Sequence, residues 1–397
     1  MRRTVRYAGF AVVAILGAVA IVFFFFAAAY FDARMNTVVL KPPYVVSPAA
    51  QALHARLRIV DMHDDLLLWP RDPLARSAVG STDVPRLVGG NMAIQIFSTV
   101  SKTPRGLNYT GNSAESDMIT SLAAAERRPL DNWLTGKHLL ARARWSSDKL
   151  RSAAARSSGQ VQLVTNATEL ERALAIRAQQ PRTLIALLSL EGLQVLEGRI
   201  ENLDTLYALG FRMAGLAHFF DNEVAGSAHG MEKGGLTALG REVVSGMEAR
   251  GMIVDLAHVS PRAVDDVFAI ARRPVVVSHG GVATVCPGPR NWTDAQLQRL
   301  ASNGGVIGIG YWQAAVCDAT PKGIAKAIRH VVDVAGIDHV GLGSDWDGAV
   351  EAAFDATGLP LLTQALMDEG FTETQISRIM GENVIRLLQA GLQPLPQ

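Results

Sequence analysis

Four separated stretches of this chain each close a short apolar run with a side chain able to bind a metal. That recurrence constrains the fold more than any other feature. The stretches are Arg58-Ile59-Val60-Asp61-Met62-His63-Asp64-Asp65, Leu187-Leu188-Ser189-Leu190-Glu191, Met252-Ile253-Val254-Asp255-Leu256-Ala257-His258 and Pro274-Val275-Val276-Val277-Ser278-His279. Short apolar runs between turn residues read as strands buried on both faces, which is the habit of parallel sheets. Ligands where such strands end lie at the carboxyl edge of the sheet, where α/β folds build active sites. The pattern predicts a metal-dependent enzyme.

Strands are expected at 57–62, 92–97, 183–190, 212–217, 252–257, 274–278, 305–310 and 339–344. Helical patterns at 240–249, 261–271, 294–301 and 322–335 fall between them. Eight strands with helical crossovers fit an α/β fold of the (β/α)8 barrel type better than an open sheet. Residues 98–182 are too long for a crossover and rich in Ala, Arg and Leu; they read as a helical insertion after the second strand, covering the barrel mouth. The barrel is expected to occupy 51–390, with a tail at 391–397 and a Pro-containing extended linker at 32–50.

Residues 8–31 are apolar and uncharged. At ~1.5 Å per residue, a helix of this length crosses a ~30 Å hydrocarbon core. Arg2, Arg3 and Arg6 precede it, so residues 1–7 are expected in the cytoplasm and the barrel in the periplasm or extracellular space. Ala27-Ala28-Ala29 offers a cleavage site, but signal-peptide apolar regions run only ~7–15 residues, which favours a retained membrane anchor. Hydrophobic residues make up 49% of the chain, enough for a large core, and the net charge is +1. Without a basic patch, nucleic acid is excluded as an expected partner. Cys286 and Cys317, the only cysteines, could pair with a gain of ~3 kcal/mol or remain two buried thiols; neither has the spacing of a metal site.

His63 and Asp65 are two apart, so they share one side of a regular strand and can reach one metal as the strand ends. Glu191 precedes Gly192 at the end of an apolar run, where a carboxylate must be paired, metal-bound or a helix cap. His258 and His279 end consecutive strands. One histidine so placed is ordinarily a hydrogen-bonded core residue, but four ligand positions on one rim point to metal. His218 ends another run and is suited to bind metal or polarise substrate; Asp345 ends the last strand and is suited to take a proton from an activated water.

These motifs resemble the membrane dipeptidase (renal dipeptidase-like) family of zinc peptidases, which have amidohydrolase-type barrels. The resemblance is carried by Val60-Asp61-Met62-His63-Asp64-Asp65-Leu66, Thr82-Asp83-Val84-Pro85-Arg86-Leu87, Ser189-Leu190-Glu191-Gly192 and residues 235–244. It continues through residues 253–260, Ser278-His279, Pro289-Arg290-Asn291, Gly343-Ser344-Asp345-Trp346-Asp347-Gly348 and Gly381-Glu382-Asn383-Val384-Ile385-Arg386. It implies two zinc ions per chain, one held by His63 and Asp65, the other by His258 and His279, with Glu191 bridging. Two ions bridged this way lie ~3.5–4 Å apart and share an activated hydroxide for attack on the peptide carbonyl. It further implies that His218 contacts substrate and stabilises the oxyanion, that Asp345 contacts substrate and relays the proton, and that Arg290 clamps the dipeptide's carboxylate. It also implies a Cys286–Cys317 disulfide and suits a homodimer.

The chain departs from the family's pattern at Asp64, commonly asparagine, which is expected to add negative charge to the mouth. Gly192-Leu193-Gln194, Gly280-Gly281 and Phe219-Phe220 are further departures that bear on substrate choice. Competing readings keep the barrel and metals for N-acyl amino acids or lactones, or make the chain a membrane-tethered inactive scaffold. Ser146-x-x-Lys149 fits a serine-enzyme pattern but lacks companion motifs. His54, His138, His229, His330 and His339 are expected to be structural or surface histidines, with His229 near a rim loop.

Overall fold

The computed structural model describes residues 2–133 and 138–393. Nine parallel strands form the sheet: β1 Ile59–Asp64, β2 Met92–Phe97, β3 Val161–Leu163, β4 Leu184–Leu190, β5 Phe211–Gly215, β6 Ile253–Asp255, β7 Val276–Gly280, β8 Val306–Ile309 and β9 Val340–Leu342. Eight of them close a ring in the order β1-β2-β4-β5-β6-β7-β8-β9, with β9 returning to β1. This is the expected barrel. The short β3 pairs only with the first half of β4 and was not anticipated inside the insertion.

Alternation along the strands divides the core in two. Val60, Ile94, Ile185, Met213, Ile253, Val276 and Val306 join one buried cluster with Val384, Ile385 and Leu388 of the C-terminal helix Asn383–Gly391. Their neighbours Ile59, Leu184, Ala186, Val254, Val277 and Ile307 join the larger cluster that includes the surrounding helices. Gly341 in β9 and Gly343 just past its end stand where other strands put side chains. A Cβ on Gly343 would lie 1.9 Å from the Ser278 carbonyl oxygen, so glycine permits β9 to approach β7 this closely.

Helix starts are written in the loops. Thr237, Ser260, Thr293 and Thr320 each accept a bond from a backbone N–H three residues on, at 3.0–3.3 Å. Pro261 and Pro321 follow two of these caps at the first helical position. The insertion is mainly helical, with Met118–Ala125, Leu139–Arg156 and Ala167–Gln179. Its first part does cover the mouth: Asn112 N–H donates to the His229 carbonyl at 2.8 Å, and Tyr109, Met118 and Leu122 line the pocket above the strand ends.

The N-terminal apolar helix begins at Arg2, passes through a π-turn at Phe23–Ala27 and continues as Ala28–Met35. Tyr7–Met35 is long and apolar enough to cross a membrane. The helix thus runs four residues into the segment expected to be linker. The reason is tertiary: buried Asp32 pairs with Arg71 at 2.9 Å and accepts a bond from Asn36 at 2.8 Å. Residues 394–397 of the expected tail, and Met1, lie outside the described residues.

Candidate active site

Each candidate ligand side chain stands at or just beyond a strand end. His63 is the penultimate residue of β1 and His279 that of β7, while Glu191 directly follows β4. His218, His258 and Asp345 each lie three residues past β5, β6 and β9. The ladder slips between Asp61 and Asp64 against β2, and between Val277 and Gly280 against β8. Successive residues of a regular strand face opposite ways, and such irregularities re-aim side chains. They let Met62 sit in the interior cluster while His63 reaches the rim.

His258 and Asp345 have φ of +62° and +59°. Non-glycine residues in this region cost on the order of 1–3 kcal/mol and concentrate at functional sites. Buried partners hold the turns. Asp61 accepts from the Ser344 N–H at 2.9 Å and its hydroxyl at 3.1 Å, and Asp255 accepts from the Ala257 and Ser278 N–H groups at 3.0 and 2.9 Å. Asp347 accepts from the Ser81 N–H and the Thr82 hydroxyl, both at 2.7 Å, and pairs with Arg71 at 2.8 Å.

The Glu191 carboxylate is the centre of the cluster. Its Oε1 lies 2.9 Å from His258 Nε2, 3.2 Å from His279 Nε2 and 3.6 Å from His63 Nε2, and its Oε2 lies 3.2 Å from His218 Nε2. Asp65 and Asp345 stand 3.6 and 3.8 Å from His63 Nε2. All of these side chains are buried. Burial pushes Glu191 well above the usual carboxylate range, Asp65 up to about 8 and Asp345 up to about 7; neighbouring carboxylates add to each. Burial also holds His218, His258 and His279 well below the ordinary imidazole range.

Among the described residues, three groups are close enough to share an ion: His63, Glu191 and His279; Glu191, His218 and His258; His63, Asp65 and Asp345. Both ring nitrogens of His63, Asp65 Oδ1 and His258 Nδ1 are buried without a hydrogen-bond partner. Unpartnered buried polar atoms are costly, and a nitrogen-and-oxygen donor set converging on one carboxylate matches the preferences of zinc. The residues fit a metal centre.

Arg290 reaches in from the loop after β7. It donates from Nη2 to the His279 carbonyl at 2.7 Å and from Nη1 to His258 Nε2 at 3.1 Å, with its guanidinium 5.0 Å from the Trp312 ring centroid. Its Nε has no partner. Asn291, beside it, donates to the carbonyls of Cys286, Ala314 and Ala315 at 2.7–3.2 Å. Cys286 and Cys317 are bonded, with Cα atoms 5.3 Å apart, which ties this loop to the chain after β8.

Several residues take roles that their sequence reading left open or misplaced. His229 is buried, stacks on Phe219 with centroids 4.5 Å apart and bonds through Nδ1 to the Tyr109 carbonyl at 3.0 Å. Its ring lies 5.4 Å from that of His258, so it backs the site rather than the surface. Asp64 corrects an expectation. It is buried, accepts from the Leu66 N–H at 2.6 Å and is absent from the pocket lining. Burial and nearby Asp347 hold its carboxyl well above the usual range, and its place outside the pocket lining keeps it from the mouth. Lys149 donates to the carbonyls of Leu67 and Trp69 and is lowered to about 7 by burial, a structural role. His54, His330 and His339 are hydrogen-bonded to Thr363, Asp294 and the Gly305 carbonyl respectively.

Comparison with known proteins gives a consistent result. The model of the membrane dipeptidase family (peptidase family M19) matches residues 48–393. An uncharacterized protein in the pqqA 5' region of Klebsiella pneumoniae is 30% identical over 255 residues, 60% of this chain and 92% of that protein. Dipeptidase aclJ of Aspergillus oryzae is 36% identical over 218 residues, 52% of each chain, so the match spans about half of that relative's length. Among solved structures, the probable dipeptidase PvdM of Pseudomonas aeruginosa superposes with a TM-score of 0.71 at 18% identity, covering 86% of this chain and 97% of that one. A Rhodobacter sphaeroides metallo peptidase, liganded with a phosphinate mimic of L-Ala-D-Ala, gives 0.66 at 23% identity, with 84% and 99% covered. These two likenesses carry the fold. By the span of the family match, the chain belongs to the membrane dipeptidase family.

Proposed function

We propose that this chain is a zinc-dependent dipeptidase with two ions per chain. The observation that carries the reading is one buried carboxylate, Glu191, ringed by four imidazoles in the same pocket as Arg290. His63 and Asp65 would hold one ion, His258 and His279 the other, with Glu191 shared. When bound, such ions supply an activated water and polarise the scissile carbonyl. Arg290 pairs with the substrate carboxylate, a bidentate contact that restricts length at that end. His218, whose Nε2 faces Glu191, contacts the carbonyl oxygen and stabilises the charge that develops there. Asp345 takes a proton and returns it to the leaving amine nitrogen. Trp312, against the guanidinium, holds Arg290 in its pose.

The N-terminal helix would anchor the barrel outside the cytoplasm, with Arg2, Arg3 and Arg6 on the inner side. The test is metal analysis of the purified full chain, paired with hydrolysis of L-Ala-L-Ala and L-Ala-D-Ala before and after chelation. About two zinc per chain and cleavage restored by zinc are expected. Zinc without cleavage of either dipeptide would move the substrate to another amide. Folded protein that takes up no zinc and cleaves neither would refute the proposal.

A further inference from the structure

The pocket above the metal-competent cluster does not end at the barrel. Its cavity, about 540 Å³, has a polar floor formed by Glu191, His218, His258, Arg290 and Asp345. One wall belongs to the N-terminal helix, through Phe23, Ala27, Ala28, Phe31 and Met35. Met118, Ile119 and Leu122 of the insertion supply further apolar lining. The wall is a fixed part of the site: Asp32 of the same helix pairs with Arg71 at 2.9 Å, and Arg71 pairs at 2.8 Å with Asp347, two residues after Asp345. Nearby, the Arg127 guanidinium stands 4.4 Å from the Phe25 ring centroid.

A charged floor under an apolar shaft is complementary to an amphiphile. A dipeptide of small residues uses only the floor. We propose that the N-terminal helix forms a wall of the substrate site, and that the site takes amides with a free carboxylate at one end and a long hydrocarbon chain on the amino-terminal side of the scissile bond. This rests on the hydrolase reading above. The chain is carried either as a fatty acyl group on an amino acid or as the side chain of a dipeptide's first residue. Both present the same surface to Phe23, Phe31 and Leu122. The shaft wall is continuous with the exposed apolar stretch from Tyr7 to Val22 of the same helix, so the hydrocarbon enters from the bilayer side.

The test uses the zinc-loaded full chain in nanodiscs and two substrate pairs: N-acetyl-alanine against N-dodecanoyl-alanine, and Ala-Ala against 2-aminotetradecanoyl-alanine. Each methylene removed from water is worth up to about a fourfold gain. A rise in kcat/KM of roughly tenfold or more within either pair is therefore expected, and the responding pair identifies the carrier. Phe31→Asp, at a half-exposed position, and separately Leu122→Asn should remove most of that rise, which partitioning into the nanodisc alone would not. Flat values in both pairs with Ala-Ala still cleaved overturn the inference and leave the dipeptidase reading intact. A rise that survives both variants also overturns it. Cleavage of none of the four compounds refutes the hydrolase reading, and a diazirine-bearing N-dodecanoyl-alanine then decides the binding claim. Labelling of the Met118–Ala125 peptide, competed by unlabelled N-dodecanoyl-alanine, supports the shaft; labelling confined to Tyr7–Val22 overturns it.

Discussion

Replacing both Cys286 and Cys317 by serine removes a crosslink whose contribution follows from its place in the chain. The two residues are 31 apart. In the chain-entropy model, a closed loop of that length lowers the entropy of the unfolded chain by about 12 cal/mol/K, or about 4 kcal/mol at 25 °C. For a folded unit of the size matched by 48–393, the entropy of unfolding is roughly 0.7 kcal/mol/K, so Tm should fall by about 5 °C. The native loop should keep its shape, because Asn291 separately bonds the carbonyls of Cys286, Ala314 and Ala315. The double variant is therefore expected to melt earlier while its KM for L-Ala-D-Ala changes less than about threefold. Differential scanning calorimetry and steady-state kinetics read the two quantities, with thiol titration to verify the bond in the parent. An unchanged Tm would refute the entropic argument. A KM raised tenfold would show instead that the crosslink itself positions Arg290.

Three further outcomes follow from buried contacts. Asp32→Ala leaves Arg71 with Asp347 as its single carboxylate partner and should cost about 2–4 kcal/mol, with trypsin gaining access at Arg34; protection equal to the parent would count against the ion network. Gly343→Ala sets a Cβ against the Ser278 carbonyl and should cost about 2–3 kcal/mol and weaken zinc uptake, measured by melting and zinc titration; normal uptake would show that β9 can yield. Burial lowers His54 to about 4, so the unfolded chain binds its proton first as pH falls from 6.5. Its contribution is complete above that pH and is lost toward pH 4, by up to ~3 kcal/mol; His54→Gln should flatten the urea-midpoint profile across that window, and an unaltered slope would contradict this.

The barrel strands were legible because each is a short apolar run buried on both faces, and the caps at Ser260, Thr293 and Thr320 mark where helices resume. His63, Glu191, His218, His258, His279 and Asp345 were legible because each ends such a run; Arg290, on a loop, was marked only by the motif Pro289-Arg290-Asn291. What the chain did not announce depends on partners distant in sequence. Val161–Leu163 is three residues long and is a strand only because β4 offers a free half-edge. Ala28–Met35 continues the helix because Arg71 meets Asp32. His229 looks like any loop histidine until Phe219 and Tyr109 enclose it, and Asp64 looks like a mouth residue until the turn at Leu66 draws it inward. The grouping of donors around Glu191 likewise needs the ring to close before it exists.

The continuous helix from Tyr7 to Met35, pinned by the buried Asp32–Arg71 ion pair, makes the junction with the barrel a strut instead of a tether. A tethered enzyme tumbles through a hemisphere whose radius is its linker; if this helix anchors the chain as proposed, a strut would fix the height and tilt of the mouth above the bilayer. Turnover on substrates dissolved in the membrane would then scale with their mole fraction in the lipid, and diluting the suspension would leave the rate per enzyme unchanged.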